Sequence, residues 1–322
     1  MNSESDPILI VGGPTASGKS ALALDLALRL RGMVINADSM QVYKELRILS
    51  ARPTPADEER VPHRLYGTLP ARERCSAGRW CDLALAEIAG ARAKQLLPIL
   101  VGGTGLYFRS LLRGLAPIPP VPRGIRDTAV ELHTEVGAAE FHRLLAVRDP
   151  DSAARIHPAN TQRVLRAYEV FEATGKSLGD WQNEAAGEAG YAGKVVALVL
   201  EPPREVLYAA CDARSELMAA AGGIEEVAAL LTLEIDPALP IMKALGVREF
   251  AALLAGDAKR DEAIENLCRA TRNYAKRQAT WFRHQMAGAK RVSARYDGAQ
   301  DENIMEIAAA LLSQTNSDQW SR

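Results

Sequence analysis

Short apolar runs mark the predicted strands of this 322-residue chain. The four clearest runs are residues 7–11, 33–37, 97–101 and 194–201. Hydrophobicity without polar alternation is typical of strands that are buried on both faces of a parallel sheet. Between the first two runs, residues 19–31 carry a leucine at every fourth position, which predicts an amphipathic helix that Gly32 ends. Strand, helix and strand within about 30 residues predict a right-handed βαβ unit.

A helical segment interrupts this strand pattern between the third and fourth runs. Four prolines within residues 117–122 form a stiff connector. Residues 123–174 are charged and have helical periodicity without a strand signal. Gly175 is predicted to end a helix, and residues 187–193 form a loose, glycine-rich segment. The order of elements therefore predicts a helical insertion within one α/β core.

A phosphate-binding sequence follows the first apolar run. The matching residues are Gly13, Pro14, Thr15, Ala16, Ser17, Gly18, Lys19 and Ser20, in the pattern G-x-x-x-x-G-K-[ST]. Glycines let backbone N–H groups surround an anion, and the N-terminus of the next helix adds positive potential. Lys19 supplies a mobile charge, and the Ser20 hydroxyl is a candidate ligand for Mg²⁺. The segment predicts a polyphosphate site.

These signals together predict an α/β fold, with a P-loop NTPase-like parallel sheet flanked by helices and an inserted all-helical domain. The core is assigned to residues 1–120 and 192–322, and the insertion to residues 121–191.

Hydrolysis of a nucleoside triphosphate is disfavoured. The chain has no Asn-Lys-x-Asp motif of the kind that GTPases use to select guanine. The run at residues 97–101 ends in Gly102-Gly103-Thr104, without the carboxylate that ATPases use to hold Mg²⁺. The same phosphate loop could hold a diphosphate leaving group instead.

Two polar residues follow neighbouring strands at the edge where parallel sheets bind ligands. Asp38 comes after the second run, where a carboxylate could bind Mg²⁺, cap a helix or act as a general base. Thr104 comes after the third run and could cap a helix over residues 105–113, face the crevice beside Asp38, or do both.

Composition sets limits on the class of protein. Hydrophobic residues make up 48% and charged residues 25%, values that are ordinary for a globular protein. The sequence has no apolar run of the length that a transmembrane helix needs. Residues 1–7 lack a basic residue, so no targeting peptide is predicted there. The four cysteines form no CxxC pair, which fits a reducing cytoplasm.

Six segments in order carry a family resemblance: GPTASGKS, DSMQVYKEL, VPHRL, LVGGTGLYFRSLL, HPANTQRVLRAYEV and AKRQATWFR. Together they resemble the tRNA dimethylallyltransferases, also called tRNA isopentenyltransferases, over about residues 8–285. The chain lacks the Cys/His zinc finger of longer eukaryotic relatives, so the bacterial type is the better match. The resemblance implies transfer of a dimethylallyl group from dimethylallyl diphosphate to N6 of the adenosine 3′-adjacent to the anticodon of tRNA.

The resemblance also implies roles for individual residues. Residues 13–20 would bind the diphosphate with Mg²⁺ near Ser20, and Arg214 would lie near that diphosphate. Asp38 would be the general base, and Thr104 would help to place the reacting groups. The tRNA contacts implied are Asp38, Ser39, Met40, Gln41, Thr104, Arg126, Gln162, Arg163, Val164, Leu165 and Arg166. The implied partner is the tRNA anticodon stem-loop, met by a monomer without an obligate protein partner or membrane contact.

Besides the loop at residues 49–54, which reads LSARPT where the family often has GTAKPT, two positions depart from the family pattern. Val247 stands where the family usually has tyrosine, and Ala210 stands where a basic residue is frequent. No substrate contact is assigned to either position.

The chemistry of allyl transfer fits these residues. Charge develops as the C–O bond to diphosphate breaks, and preorganised donors stabilise it. Lys19 is therefore placed with Asp38 and Thr104 among the candidate catalytic residues. The adenine must leave its stack to reach such a site, by analogy with base-flipping enzymes.

A basic stretch near the end of the chain offers an RNA-binding face. Residues 266–296 contain eight Lys or Arg and no Asp or Glu, in a chain whose net charge is only −1. On a helix, Arg272, Lys276 and Arg283 fall on one side together with Arg269. A solvated helix face is the alternative interpretation.

Three other functions stay open from the sequence. An adenylate isopentenyltransferase would use free AMP or ADP, and the helical insertion and basic stretch favour a larger acceptor. A small-molecule P-loop kinase is disfavoured because no ATP-binding lid pattern is found. An RNA-binding module with a vestigial phosphate loop is disfavoured because Lys19, Ser20 and Asp38 are all present.

Overall fold

The computed structural model describes residues 7–184, 190–298 and 301–313. Residues up to Leu112 and from Ala192 onward form one compact unit, and Arg113–Tyr191 form the second. Two segments with a prediction lie outside the described residues. They are residues 1–6, where no targeting peptide is predicted, and residues 187–189 of the glycine-rich segment. No helix within the described ranges is long and apolar enough to cross a lipid bilayer.

Six parallel strands form the sheet of the first unit. They are β1 (Ile8–Gly12), β2 (Gly32–Asn36), β3 (His63–Arg64), β4 (Leu97–Gly102), β5 (Val195–Leu200) and β6 (Lys290–Val292). Their order across the sheet is β3-β2-β4-β1-β5-β6, and every neighbouring pair is parallel. The predicted α/β fold with a parallel sheet is therefore confirmed.

The four central strands are the four predicted apolar runs. Every residue of β1 and β2 is buried, since helices cover both faces of the sheet. The edge strands β3 and β6 are only two and three residues long and were not predicted. Short edge strands limit pairing with other chains.

Thirteen α-helices are present in the described ranges. They are α1 (Lys19–Leu30), α2 (Pro55–Arg60), α3 (Ala77–Ala93), α4 (Gly105–Arg113), α5 (Arg123–Arg148), α6 (Pro150–Arg155), α7 (Thr161–Thr174), α8 (Leu178–Glu184), α9 (Arg204–Ala220), α10 (Gly223–Leu231), α11 (Val247–Ala255), α12 (Arg260–Gln285) and α13 (Asp301–Ser313). A 3₁₀ turn over Pro240–Lys243 precedes α11.

The end of α1 differs from the prediction. Arg31, not Gly32, adopts the left-handed conformation that ends the helix, with φ 51°. Gly32 already belongs to β2, and a Cβ there would lie 2.6 Å from Ile99 Cδ1. The glycine is therefore needed for close packing of β2 against β4 rather than for the helix cap.

The second unit is helical and has its own core. Phe141, Val164 and Ala167 are among the buried residues that join α5, α6 and α7. Gly137 interrupts α5 with φ 77°. Gly175 ends α7 in the left-handed conformation, with φ 69°, which confirms the predicted helix end.

Candidate active site

The phosphate loop connects β1 to α1. Gly18 precedes the first helical residue with φ 89°, and a Cβ at this position would meet the Tyr296 carbonyl oxygen at 2.1 Å. α1 begins with no acidic residue in its first turn and no side-chain cap. Its N-terminal N–H groups and dipole therefore favour an anionic ligand.

The Lys19 side chain lies within the loop. Its Nζ donates a hydrogen bond to the Pro14 carbonyl oxygen at 3.2 Å. Burial lowers the pKa of Lys19 to about 8, against a raising effect of Asp38 and a further lowering effect of Arg214. The three charges therefore lie within Coulombic range of one another, which brings the predicted loop lysine, carboxylate and arginine together.

Two serines of the loop bear on a metal ion. The Ser20 side chain is exposed at the start of α1, whereas the buried Ser17 Oγ has no hydrogen-bond partner among the described residues. The described residues contain no group of three or more His, Cys, Asp or Glu that could hold a metal. A Mg²⁺ ion at Ser20 would need diphosphate oxygens and water as its other ligands, a set that this ion commonly uses.

Asp38 lies in a turn directly after β2. Its Oδ1 accepts a hydrogen bond from the Met40 N–H at 2.9 Å. The segment after Asp38 forms turns rather than a helix, so the helix N-cap alternative for this residue is wrong. The carboxylate instead closes a local turn of the kind that Asp favours, and its second oxygen is left for other contacts.

Asn36, which the sequence analysis did not single out, fixes the backbone of Asp38. Asn36 is fully buried. Its Oδ1 accepts from the Asp38 N–H at 2.8 Å, and its Nδ2 donates to the carbonyl oxygens of Asp38 and Leu65 at 2.9 and 3.0 Å. A polar residue at the buried end of an apolar strand is the sequence signal for such a role.

Thr104 links the ends of β4 and β2. Its Oγ1 accepts a hydrogen bond from the Ser39 N–H at 2.9 Å and lies 3.3 Å from Ser39 Oγ. The first turn of α4 uses the Thr104 carbonyl oxygen, which accepts from the Tyr107 N–H at 3.0 Å. Two roles were predicted for Thr104. Its hydroxyl faces the Asp38 side and does not cap α4.

Arg214 enters the site from α9. Its Nη2 donates to the Ser50 carbonyl oxygen at 3.4 Å. Burial lowers the pKa of Arg214, and the nearby Asp38 carboxylate opposes that shift. Burial also raises the pKa of neighbouring Cys211 to about 11, so this thiol is not poised as a nucleophile.

The loop after Gln41 is held from two sides. The Gln41 amide is buried and donates to the carbonyl oxygens of Ser50 and Ala51, each at 2.9 Å. Glu226 on α10 accepts from three successive N–H groups, those of residues 47–49, at 2.6 to 2.9 Å. Gln41 is a predicted tRNA contact. Its amide nitrogen is already used to support the loop beside Arg214.

Three tyrosines lie within Coulombic range of the Asp38 carboxylate. Burial is the main cause that raises the pKa of Tyr66, Tyr107 and Tyr274, and Asp38 raises each of them further. Tyr274 lies on α12, and the nearby Thr104 side chain opposes the rise in its pKa. No sequence motif marked Tyr274 as a residue near Asp38.

The basic stretch is partly neutralised. Arg272 Nη1 donates to both carboxylate oxygens of Asp212 at 2.6 and 2.7 Å. Arg283 Nε and Nη2 bind one Glu201 oxygen at 2.9 and 2.5 Å. Asp212 lies on α9, and Glu201 follows β5 directly. The lack of Asp and Glu within residues 266–296 therefore did not mean that the basic side chains of this stretch are unpaired.

Lys276 lies at a cavity beside the phosphate loop. The cavity has a volume of about 240 Å³ and is lined by Pro14, Glu201, Pro202, Arg204, Leu207, Tyr208, Lys276, Ala279, Thr280 and Arg283. Three of these side chains are cationic and one is a carboxylate. Lys276 is therefore near the predicted diphosphate site, in addition to its place on the predicted RNA face.

Residues of the helical insertion that were predicted to bind tRNA have different environments. Gln162 and Arg163 are exposed on α7. Arg126 and Arg166 both lie near the buried Glu169, at 3.5 and 3.7 Å. Two further residues, Val164 and Leu165, pack in or against the core of this unit, and Val164 is only 1% exposed. An RNA contact through the Val164 side chain is therefore not supported.

Comparison with known families agrees with this arrangement. Residues 41–285 match the family described as IPP transferase, and residues 7–71 match the family described as Isopentenyl transferase. The two matches together span the phosphate loop, the Asp38 turn, Thr104 and α12.

Individual relatives cover nearly the whole chain. A protein of Rhodospirillum centenum named tRNA dimethylallyltransferase is 58% identical over 285 residues, which are 88% of this chain and 91% of that protein. The full-length tRNA isopentenylpyrophosphate transferase of Bacillus halodurans is 32% identical, with a TM-score of 0.70 over 97% of this chain and 98% of that one. A eukaryotic dimethylallyltransferase crystallised while acting on tRNA is 26% identical, with a TM-score of 0.81 over 95% of this chain and 78% of that one. The chain belongs to the tRNA dimethylallyltransferase family, whose members are prenyl-transferring enzymes.

Proposed function

We propose that this protein transfers the dimethylallyl group of dimethylallyl diphosphate to N6 of the adenosine 3′-adjacent to the anticodon of tRNA. One observation carries the proposal. Lys19 and Arg214, two cations suited to a diphosphate, share Coulombic range with the Asp38 carboxylate, which is suited to accept a proton. A cationic anion site beside a base is the arrangement that allyl transfer to an amine requires.

The donor end would be bound by the phosphate loop. As the bond between C1 of the allyl group and the diphosphate oxygen breaks, the electron pair stays on that oxygen. The N–H groups at the start of α1, with Lys19 and Arg214, stabilise the growing negative charge. Mg²⁺ would be held by Ser20 and by the diphosphate itself, where it would supply further positive charge to the leaving group.

The acceptor end would lie beside the Asp38 turn. The N6 lone pair forms the new bond to C1, and one N6 proton passes to the free carboxylate oxygen of Asp38. The Met40 N–H holds the other oxygen at 2.9 Å, so the carboxylate has a fixed orientation. Thr104, together with Tyr274 and Tyr66 in Coulombic range of Asp38, would supply polar and aromatic surroundings for a flipped adenine.

The larger substrate would be bound through phosphate contacts. Arg163 and Gln162 are exposed on the helical unit, and Arg126 and Arg166 lie close by on α5 and α7 around Glu169. Contacts of this type set the position of an RNA stem-loop without reading its sequence. We place the activity in the cytoplasm of a bacterium, where tRNA is modified, and assign it to a monomer.

Transfer of label tests the proposal directly. The protein is incubated with labelled dimethylallyl diphosphate and Mg²⁺, together with unmodified tRNA, AMP or no acceptor. We expect label on tRNA alone, and none on a matched tRNA with guanosine in place of the target adenosine. Label on AMP would instead identify an adenylate isopentenyltransferase. Absence of any transfer would contradict the enzyme assignment and favour a kinase or an RNA-binding module.

A further inference from the structure

A single buried amide connects the phosphate loop to the loop that carries Thr104. Gln278 lies on α12 and is 5% exposed. Its Oε1 accepts a hydrogen bond from the Thr15 N–H at 2.7 Å, and its Nε2 donates to the Gly103 carbonyl oxygen at 2.9 Å. These partners are 263 and 175 residues away in sequence.

The surroundings of Gln278 leave little freedom for this bridge. A Cβ on Gly103 would lie 2.1 Å from Gln278 Nε2. The next turn of α12 packs in the same way, because a Cβ on Gly105 would lie 2.2 Å from Trp281 and one on Gly12 would lie 2.5 Å from Phe282. Side chains of α12 therefore pack directly on glycines at or just after the ends of β1 and β4. This packing fixes the distance of the Gln278 amide from both loops.

The bridge joins a longer chain of contacts. On one side, the Thr15 N–H is already occupied, so it does not serve as a donor to a bound diphosphate. On the other side, the Gly103 peptide leads directly to Thr104, whose hydroxyl accepts from the Ser39 N–H beside Asp38. The donor side and the acceptor side of the site are thus connected through one side chain.

We infer that Gln278 is a positioning residue that sets the separation between the diphosphate loop and the Thr104–Asp38 side of the site. This inference rests on the proposed function, because it concerns the alignment of the two substrates. Small displacements of reacting groups reduce the rate of a reaction strongly while substrate binding changes little. Loss of the bridge should therefore lower kcat more than it raises either KM.

The chemistry of the amide provides the test. Gln offers an acceptor and a donor at the same end of its side chain, whereas Met offers neither and an ionised Glu offers acceptors only. A protonated Glu has one acceptor and one donor and reproduces the bridge. Burial raises the pKa of a carboxyl group, so Gln278→Glu should recover activity as the pH is lowered.

The experiment measures kcat, KM for donor and KM for tRNA in the wild type, Gln278→Met and Gln278→Glu. Gln285→Glu, at an exposed position of the same helix, is the matched control. We expect Gln278→Met to lower kcat about 10–100-fold, with both KM values within about 3-fold. The kcat of Gln278→Glu relative to wild type should rise at least about 5-fold from pH 8 to pH 5.5, while that of Gln285→Glu stays constant.

Hydrogen exchange of the Thr15 amide gives a readout that does not depend on activity. Its protection should fall in Gln278→Met and recover in Gln278→Glu at low pH. An unchanged kcat in Gln278→Met, a Gln278→Glu ratio that does not vary with pH, or unchanged exchange at Thr15 would overturn the inference. A wild-type protein without transfer activity would overturn the proposed function instead, and the exchange would still test the bridge. If Gln278→Met does not fold, the pH series of Gln278→Glu decides.

Discussion

The Thr104 hydroxyl accepts a hydrogen bond from the Ser39 N–H at 2.9 Å, and this bond joins the loops that follow β4 and β2, where we propose that the acceptor binds. β2 and β4 are neighbours in the sheet, with Asn36 opposite Val101. Residues that are far apart in sequence therefore leave the sheet at the same level. Ser39 and Thr104 therefore meet just beyond the ends of two neighbouring strands.

Asp38→Asn distinguishes the proposed role of Asp38 as a base from its role in closing the local turn. An Asn side chain keeps the oxygen that accepts from the Met40 N–H but is not a base at neutral pH. We expect kcat to fall about 10²–10⁴-fold, with tRNA affinity within a few-fold of wild type. Turnover and tRNA binding are measured separately. Normal kcat with weakened tRNA binding would contradict the general-base role.

Thr104→Val and Thr104→Ser test the link to Ser39. Val has a similar shape but no hydroxyl, so the Ser39 N–H loses its partner, whereas Ser keeps the acceptor. We expect Val to lower the free energy of unfolding by about 1–2 kcal/mol and to reduce turnover. Ser should stay near wild type in both respects. Denaturant unfolding and steady-state rates provide the measurement, and equal behaviour of the two variants would exclude the hydrogen bond as the cause.

Lys19→Met should remove activity and stabilise the fold. The pKa of Lys19 is about 8 in the folded protein and 10.5 in its reference state. The unfolded chain therefore holds the extra proton between these values, so the penalty for burying the charge is complete below pH 8 and disappears as the pH rises toward 10.5. Discounted for partial exposure, we expect a gain of about 1–3 kcal/mol at pH 7.

Thermal unfolding at pH 7 and pH 10 checks this sign. The difference between Lys19→Met and wild type should shrink at the higher pH. Lys44→Met, at an exposed position, is the control and should change neither stability nor turnover. A Lys19→Met variant that is less stable than wild type at pH 7 would contradict the account.

Asn36→Leu tests the buried amide beneath Asp38. The substitution keeps the side-chain volume but leaves the N–H and carbonyl of Asp38 and the carbonyl of Leu65 without their partner. We expect the free energy of unfolding to fall by about 2–4 kcal/mol. Asn273→Leu, on the exposed side of α12, should change it by less than about 0.5 kcal/mol. Equal effects at the two positions in denaturant titrations would contradict the proposed support of Asp38.

Arg163→Gln tests the RNA contact of the helical unit. An arginine that neutralises one phosphate contributes about one unit to the slope of log affinity against log salt. We therefore expect weaker tRNA binding and a slope that is smaller by about one unit. Arg143→Gln removes another exposed arginine of the same unit, one paired with Glu140, and should leave the slope unchanged. An unaltered slope in Arg163→Gln would remove this residue from the binding face.

The sequence was sufficient to predict the central sheet because double-sided burial produces continuous apolar runs. It could not predict β3 and β6, whose two and three residues include His63, Arg64 and Lys290 and form no such run. The location of the phosphate loop, Asp38 and Thr104 at one edge of the sheet was predictable because each follows a parallel strand. The partner of Thr104 was not, because it depends on which strands become neighbours.

The pairing of Arg272 and Arg283 could not be predicted from the local charge count for a related reason. The acids that pair with Arg272 and Arg283 lie 60 and 82 residues away in sequence. A window over residues 266–296 contains none of them. Local charge counts therefore do not show whether acids from elsewhere in the fold pair with a basic segment.

The late position of α12 in the sequence determines when the two loops can be brought together during synthesis. Translation completes the phosphate loop and Thr104 within the first third of the chain, but the helix that rests on their glycines ends only at Gln285. A nascent chain on the ribosome thus carries both loops for most of its synthesis without the element that aligns them. Fragments that end before α12 therefore hold the phosphate motif and Thr104 but lack the helix that packs on both loops.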